Sequence, residues 1–295
     1  MELQRYTFDG TVDLVKIAVV QLKSYEDIAL QMNPNGYYVA YSGGKDSDVI
    51  RILCGLAGVK HELWHNHTTV DAPETVRYIR TIVRGENISQ PYDRDGRPMS
   101  MWRLIVKKGM PPLRNVRYCC EVLKEYGGEN RFAVTGVRKE ESSQRSSREE
   151  LEIVGKRKRD RKIFVGDNDE RRREIENCRI RGRLTMNPII HWHETDVWDF
   201  LKYYGCESNP LYKCGYKRVG CIGCPNSGAA GQLKQFGDYP KYKNMYIRAF
   251  DKMLKNHEKE FQWRSGEEVF DWWTGCASTA EKAEMIEENQ ITLFD

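Results

Sequence analysis

Six consecutive residues, Ser42-Gly43-Gly44-Lys45-Asp46-Ser47, gather two glycines, two hydroxyls, an ammonium and a carboxylate. Glycines let a backbone approach an anion closely, and amides at the start of a helix point at it. Ser42 and Ser47 add hydroxyl donors and Lys45 a positive charge. The set suits a phosphate. It is not a Walker A loop, because Lys45 precedes Asp46 and the upstream glycine of that motif is missing. An empty strand–helix turn is the bland alternative.

A second set is made of thiols. The chain holds nine cysteines, and Cys221-Ile222-Gly223-Cys224-Pro225 is a compact chelate. Cys119-Cys120 is the only other tight pair, so four thiolates from two segments form the natural constellation. Such a set binds zinc or an iron–sulfur cluster, or serves as a redox pair. Adjacent cysteines serve a single zinc ion poorly, whereas a four-iron cube spreads its ligated irons apart. A [4Fe-4S] cluster is therefore preferred, with zinc as the lesser reading. Cys214, seven residues before Cys221, is a substitute ligand, and Cys206 a weak one. Cys54 and Cys178 read as ordinary thiols. Cys276 reads as structural, with a sulfur-carrying thiol as the sharper view.

The elements that must position these groups follow from the pattern. Leu14, Ile17, Ala18, Val19 and Leu22 have helical spacing. Tyr37–Tyr41 is an apolar run that reads as a buried strand feeding the glycine turn. Val49, Ile50, Ile52 and Leu53 continue a helix. Residues 61–67 read as a second parallel strand, completing a βαβ unit. Asp71 with Glu74 suggests a helix cap, or a group near ribose or Mg²⁺. Residues 84–117 are loop-rich, with one short helix about Trp102, Leu104 and Ile105. Arg131–Arg138 reads as another strand. Residues 193–201 make a helix with Thr195 as its candidate cap, and residues 239–288 read as helical.

The pattern predicts an α/β fold with a doubly wound, mainly parallel sheet and a helical C-terminal region. The domains expected are 1–235 for nucleotide binding and 236–295 for the helices. Residues 156–183 differ from the rest, with twelve Lys/Arg and six Asp/Glu in 28 positions. They read as a solvated insertion, with nucleic-acid contact as the sharper alternative. At 295 residues, 40% hydrophobic and 31% charged, the composition is that of a soluble globular protein. The N-terminus does not read as a signal peptide and no apolar run reaches the length of a membrane span, so a cytoplasmic location with no membrane partner is expected. A net charge of +4 neither demands nor excludes nucleic acid.

Four blocks together resemble the phosphoadenosine phosphosulfate (PAPS) reductase family of PP-loop, adenine nucleotide α-hydrolase-like enzymes. They are Ser42–Ser47, Cys119-Cys120 with Leu123-Lys124, Thr135–Arg145, and Pro188–Leu201 followed by Cys221–Cys224. The resemblance implies that Lys45, Asp46 and Arg138 act in catalysis, with Asp46 helping to hold Mg²⁺. It implies that Ser42, Gly43, Gly44, Ser47, Ser142, Ser143 and Arg145 bind the nucleotide, and that Cys119, Cys120, Cys221 and Cys224 hold the cluster. Reductases of activated sulfate typically carry a modified PP-loop and a C-terminal Glu-Cys-Gly-x-His. Here the loop is intact and that ending is missing. The resemblance thus implies ATP as substrate, cleaved between its α and β phosphates. It leans toward the branch holding the ATP pyrophosphatase subunit of DNA phosphorothioation systems, and is also similar to tRNA thiolases. The partners implied are an adenine nucleotide, a nucleic-acid acceptor and a sulfur donor such as a cysteine desulfurase. A PAPS or adenylyl-sulfate reductase is the alternative, and a non-catalytic nucleotide- or DNA-binding module the second.

Overall fold

The computed structural model describes residues 3–7, 10–141, 143–154, 162–164, 183–257 and 261–276. In chain order the strands are β1 (Gln4–Thr7), β2 (Gly10–Asp13), β3 (Tyr37–Ala40), β4 (His61–Asn66), β5 (Ile88–Ser89), β6 (Ala133–Val134), β7 (Leu151–Val154), β8 (Lys162–Phe164) and β9 (Arg183–Met186). The helices are α1 (Leu14–Ser24), α2 (Glu26–Met32), α3 (Lys45–Ala57), α4 (Pro73–Ile82), α5 (Met101–Lys108), α6 (Tyr118–Leu123), α7 (Ser143–Ser146), α8 (Glu194–Tyr203), α9 (Gly228–Asp238), α10 (Pro240–Asn256) and α11 (Gly266–Thr274).

These elements form two compact units, neither continuous in sequence. One comprises Met1–Asn66, Pro73–Ser89 and Gly127–Val219, the other His67–Ala72, Gln90–Tyr126 and Gly220–Asp295. A single boundary near residue 235 is the simplest reading of the sequence. The contacts instead make the chain cross between the units five times, and the second unit resumes at Gly220.

The first unit is built on a seven-stranded sheet in the order β5-β4-β3-β6-β9-β7-β8. β3 pairs in parallel with β4 and β6, β4 with β5, and β6 with β9. β7 pairs antiparallel with both β9 and β8, which gives the sheet a reversed edge. Central parallel strands are covered on both faces, so they are apolar throughout. Tyr37, Tyr38 and Val39 are accordingly buried. The core joins Leu14, Ala18 and Leu22 of α1, Val49, Ile50 and Leu53 of α3, and Val197, Phe200 and Leu201 of α8 to those strands. Each helix presents these residues at the three-and-four spacing of a single buried face.

Local caps differ in places from the sequence pattern. α8 is capped by His193, whose amide donates to Asp196 Oδ2 at 2.6 Å, and Thr195 sits inside the first turn. Asp71 Oδ2 accepts the Thr68 amide at 3.1 Å, while Glu74 pairs with Arg77 at 3.4 Å. The β1–β2 ribbon and β7 carry no strong alternation and are not foreseen in the sequence.

The second unit is helical. α10 buries Tyr246, Ala249, Phe250 and Met253, and α11 buries Val269, Phe270 and Trp273. The rings interlock: Tyr246 and Trp273 lie 4.8 Å apart, Phe236 and Phe270 4.9 Å, Trp102 and Tyr246 4.9 Å. Such offset and edge-on pairs add to the area they bury. The charged segment expected over 156–183 lies outside the described residues, apart from β8 and Arg183. No helix among the described residues is long and apolar enough to cross a membrane.

Candidate nucleotide site and thiol centre

The chain leaves β3 at Ala40, turns through Gly43, and enters α3 at Lys45. Gly43 has φ +72°, and a Cβ there would lie 2.8 Å from Ile79 Cγ1, so both conformation and space demand glycine. Gly44 caps α3. Its amide donates to Ser47 Oγ at 3.1 Å, and Ser47 Oγ donates to the Gly44 carbonyl at 2.7 Å. The cup is therefore tied to its own helix. The helix dipole adds partial positive charge at its mouth.

Lys45 is 3% exposed, an unusual burial for a cation. Its Nζ lies 3.6 Å from Asp46 Oδ2 and 3.7 Å from Glu194 Oε1. Arg138 is 2% exposed. Its Nε donates to Asp46 Oδ1 at 2.6 Å and its Nη1 to Glu140 Oε2 at 2.8 Å. Two buried cations are thus held against carboxylates within one site. Gly136 makes this approach possible, because a Cβ there would sit 2.8 Å from the Asp46 carbonyl oxygen. Arg145 pairs with Glu141. Ser142 and the Ser143 side chain lie outside the described residues.

Two residues of this site, Tyr212 and Asn209, carry no sequence signal. Tyr212 Oη accepts the Lys45 amide at 2.9 Å, in the position an anionic oxygen would take. Asn209 Nδ2 donates to the Gly43 carbonyl and to Thr75 Oγ1, both at 3.1 Å. Glu194, from the Pro188–Leu201 block, faces Lys45 in the same site. A cavity of about 610 Å³ lies on the far side of these residues, bordered by Glu194, Asn209 and Tyr212 with Trp198, Lys213 and Tyr216; neither residues 42–47 nor Arg138 line it. Behind the loop, Asp48 is fully buried and accepts from Tyr41 Oη at 2.6 Å and Tyr78 Oη at 2.9 Å. Burial raises its pKa, outweighing the lowering effect of those hydroxyls and of Arg51.

The thiols gather in the second unit. Cys119 and Cys120 of α6 and Cys221 and Cys224 all line one small cavity, walled by Met101, Leu123 and Tyr246. Gly223 sets the turn between the last two. Its φ is +74°, and a Cβ would lie 2.5 Å from Phe236 Cζ. Its amide donates to Gln235 Oε1 at 2.8 Å and its carbonyl accepts from Gln232 Nε2 at 3.1 Å. The amide of Ile222 bonds the Val70 carbonyl at 2.8 Å, which seats Cys221 beside Thr68 Oγ1 at 3.5 Å.

The electrostatics favour thiolate at Cys120. Cys120 is drawn down to about 5 by a hydrogen bond from Cys119, with help from Arg117 Nη2 at 3.3 Å and from Lys124. Cys119, the donor of that pair, is pushed up correspondingly. Cys221 is pushed up to about 11 by burial, against the pull of Lys124. Lys124 in turn is raised by the negative charge of Cys221, Asp71 and the other thiols. Four sulfurs beside a cation are a donor set that fits either a cluster or a zinc ion. The free space among them is about 20 Å³, room for one water or one ion, so a cube requires the walls to part. Cys214 is exposed and belongs to the other unit. Cys206 is held by Arg51 Nη2 at 3.5 Å, and Cys276 is exposed after α11.

An uncharacterised protein of Methanocaldococcus jannaschii is 25% identical over 261 residues, 82% of this chain and 48% of that protein. The chloroplastic 5′-adenylylsulfate reductase 3 of Arabidopsis thaliana is 23% identical over 244 residues, 75% of this chain and 50% of the relative. Among solved structures, PAPS reductase from Candida auris in its phosphate complex aligns over 71% of this chain and 94% of its own. Its identity is 17% and the TM-score 0.44. The chain spans about half the length of the curated relatives it matches across most of its own length. A family model for the phosphoadenosine phosphosulfate reductase domain matches residues 36–227, well over half of the chain, and the chain belongs to that family.

Proposed function

We propose that the chain is an ATP pyrophosphatase of the PP-loop type that adenylates an acceptor for sulfur transfer. The observation that carries this reading is the cup at the tip of β3. There the N-terminus of α3, the buried Lys45 and the buried Arg138 converge. Amides 43–47 and Lys45 take the β and γ phosphates. Arg138, a rigid fork fixed by Asp46 and Glu140, faces charge that develops as pyrophosphate leaves. A cavity of about 610 Å³, of the size that holds small ligands, touches the site only through Glu194, Asn209 and Tyr212. Asp46 and Glu194 offer hard oxygen ligands that suit Mg²⁺, which would neutralise phosphate charge. An acceptor oxygen attacks the α phosphorus, the α–β bond breaks, and pyrophosphate carries away the bonding pair.

Cys119, Cys120, Cys221 and Cys224 would hold a [4Fe-4S] cluster, which supplies an inorganic sulfur site when bound. The acceptor class that fits the family resemblance is nucleic acid, with a desulfurase as sulfur donor and the cytoplasm as the compartment. Zinc on the same sulfurs is the second metal reading, supported by the narrow space among them. A sulfonucleotide reductase using the exposed Cys276 is the second reading of the activity.

Anaerobic purification followed by two assays separates these. The proposal expects pyrophosphate from ATP, about four irons per chain, and iron loss in the Cys221→Ser variant. Sulfite from adenylyl sulfate with no pyrophosphate from ATP would establish the reductase instead. One zinc and no iron would replace the cluster.

A further inference from the structure

In the second unit, α5 and α10 lie side by side and leave a groove of about 530 Å³ between them. α5 carries three Lys/Arg and no carboxylate, and α10 carries five with one carboxylate. That carboxylate, Asp251, accepts the Gly266 amide at 2.6 Å and does not line the groove. Lys107 stands on the α5 rim, and Arg248 and Lys252 stand one turn apart on the α10 rim. All three are exposed. None of the three makes a hydrogen bond or ion pair with a described residue. Arg103, on the same rim as Lys107, is neutralised by Asp93.

A surface helix usually intersperses its charges with carboxylates, which keeps the local field small. Here one sign is concentrated on both walls of a concave surface. The floor is not polar: Trp102, Val106, Met245 and Ala249 form it. Trp102 is only half-buried and is braced edge-on against Tyr246 at 4.9 Å. Met245 is 39% exposed. An aromatic ring on an apolar floor between cationic walls matches a single strand, whose phosphates run along the walls and whose bases stack below. A duplex presents no free base face to that floor.

We propose that the α5–α10 groove binds single-stranded nucleic acid. This deepens the reading above by giving its nucleic-acid acceptor a surface and a single-stranded form, and rests on that reading only for the claim that the strand bound is the strand modified. The same two helices connect groove and thiols: Met101 of α5 and Tyr246 of α10 wall the four-sulfur cavity.

The test is fluorescence anisotropy of a labelled single-stranded oligonucleotide of mixed sequence, titrated with the full chain over a salt series. The triple variant Lys107→Gln/Arg248→Gln/Lys252→Gln is expected to bind at least about tenfold more weakly at low salt. Its log–log salt slope should be shallower by roughly 2, the loss of three phosphate contacts on a single strand. Its thermal midpoint and ATP affinity should match the unaltered chain, which shows that it folds. Neutralising Lys16, Lys23 and Lys60, exposed in the other unit, should change binding less than about twofold. Lys45→Ala should bind the oligonucleotide as the unaltered chain does, so a failure of the ATP reading leaves this result intact. No binding by the unaltered chain, an unchanged salt slope in the triple variant, or stronger binding to duplex than to single strand would each overturn the proposal.

Discussion

Lys45 is where the site's electrostatics concentrate. It is buried, flanked by Asp46 and Glu194, and roofed by the Tyr212 ring at 5.8 Å. Under the proposed function this enclosed cation meets a polyanion that enters the cup. Lys45→Ala should lower kcat/KM for pyrophosphate release by about 10²–10³, the cost of one preorganised charge aimed at the reacting group. A loss below threefold in a steady-state assay would contradict that role. Asp48 makes a different kind of statement. Its pKa is raised above the ordinary carboxylate value of 3.8, chiefly by burial. Below 3.8 the folded and unfolded chains both hold the proton. As pH rises through the folded value, the unfolded chain is favoured, by about 1.4 kcal/mol for each unit of elevation. Tyr78 Oη lies 2.9 Å from both Asp48 Oδ2 and the Glu207 carbonyl, so its single proton can serve only one. In Asp48→Asn the amide donates to Tyr78, which donates to Glu207. The variant should therefore gain stability relative to the unaltered chain as pH rises from 4 to 8. Denaturant melts across that range check it, and a difference that is flat or falls with pH would count against a raised Asp48.

At the scale of elements, the segment from Glu207 to Tyr216 is what completes the cup. Tyr212 and Asn209 reach the loop from more than 160 positions away, at 2.9 and 3.1 Å. The tyrosine hydroxyl accepts the amide that a phosphate oxygen would use. Entry of a phosphate must displace it. Removing one such competing hydrogen bond is worth about 1 kcal/mol. Tyr212→Phe should therefore bind ATP about fivefold more tightly in calorimetry. Weaker binding would mean that the hydroxyl itself contacts the nucleotide. What was legible at this scale was local. The β3–loop–α3 turn declares itself because glycine, phosphate-binding residues and an apolar strand occupy adjacent positions. Arg138 was supplied by resemblance to a family, not by spacing, and its pairing with Asp46 needed the fold. Asn209 and Tyr212 gave no signal, because their partners lie across the fold and neither residue type is distinctive alone. Thr195 was a plausible cap by type, yet His193 holds that place, since Asp196 reaches back to its amide.

At the scale of the molecule, the sheet and its mainly parallel order follow from the alternation of apolar strands and amphipathic helices. The partition of the chain does not. Residues 67–72 and 90–126 join the C-terminal helices because Ile222 bonds Val70 and α5 packs on α10 through Trp102 and Tyr246. Those contacts span more than 120 residues, and no composition change marks them. The thiol grouping was readable because the cysteines come in tight pairs; their gathering around Lys124 needed the fold. The central claim is that the tip of β3 is a nucleotide's phosphate cup, and a crystal structure with a non-hydrolysable ATP analogue and Mg²⁺ tests it most directly. The account predicts β and γ phosphates on the amides of residues 43–47, Lys45 and Arg138 within hydrogen-bond reach, and the Tyr212 hydroxyl moved off the Lys45 amide. A nucleotide bound elsewhere, with Tyr212 still holding that amide, would contradict it.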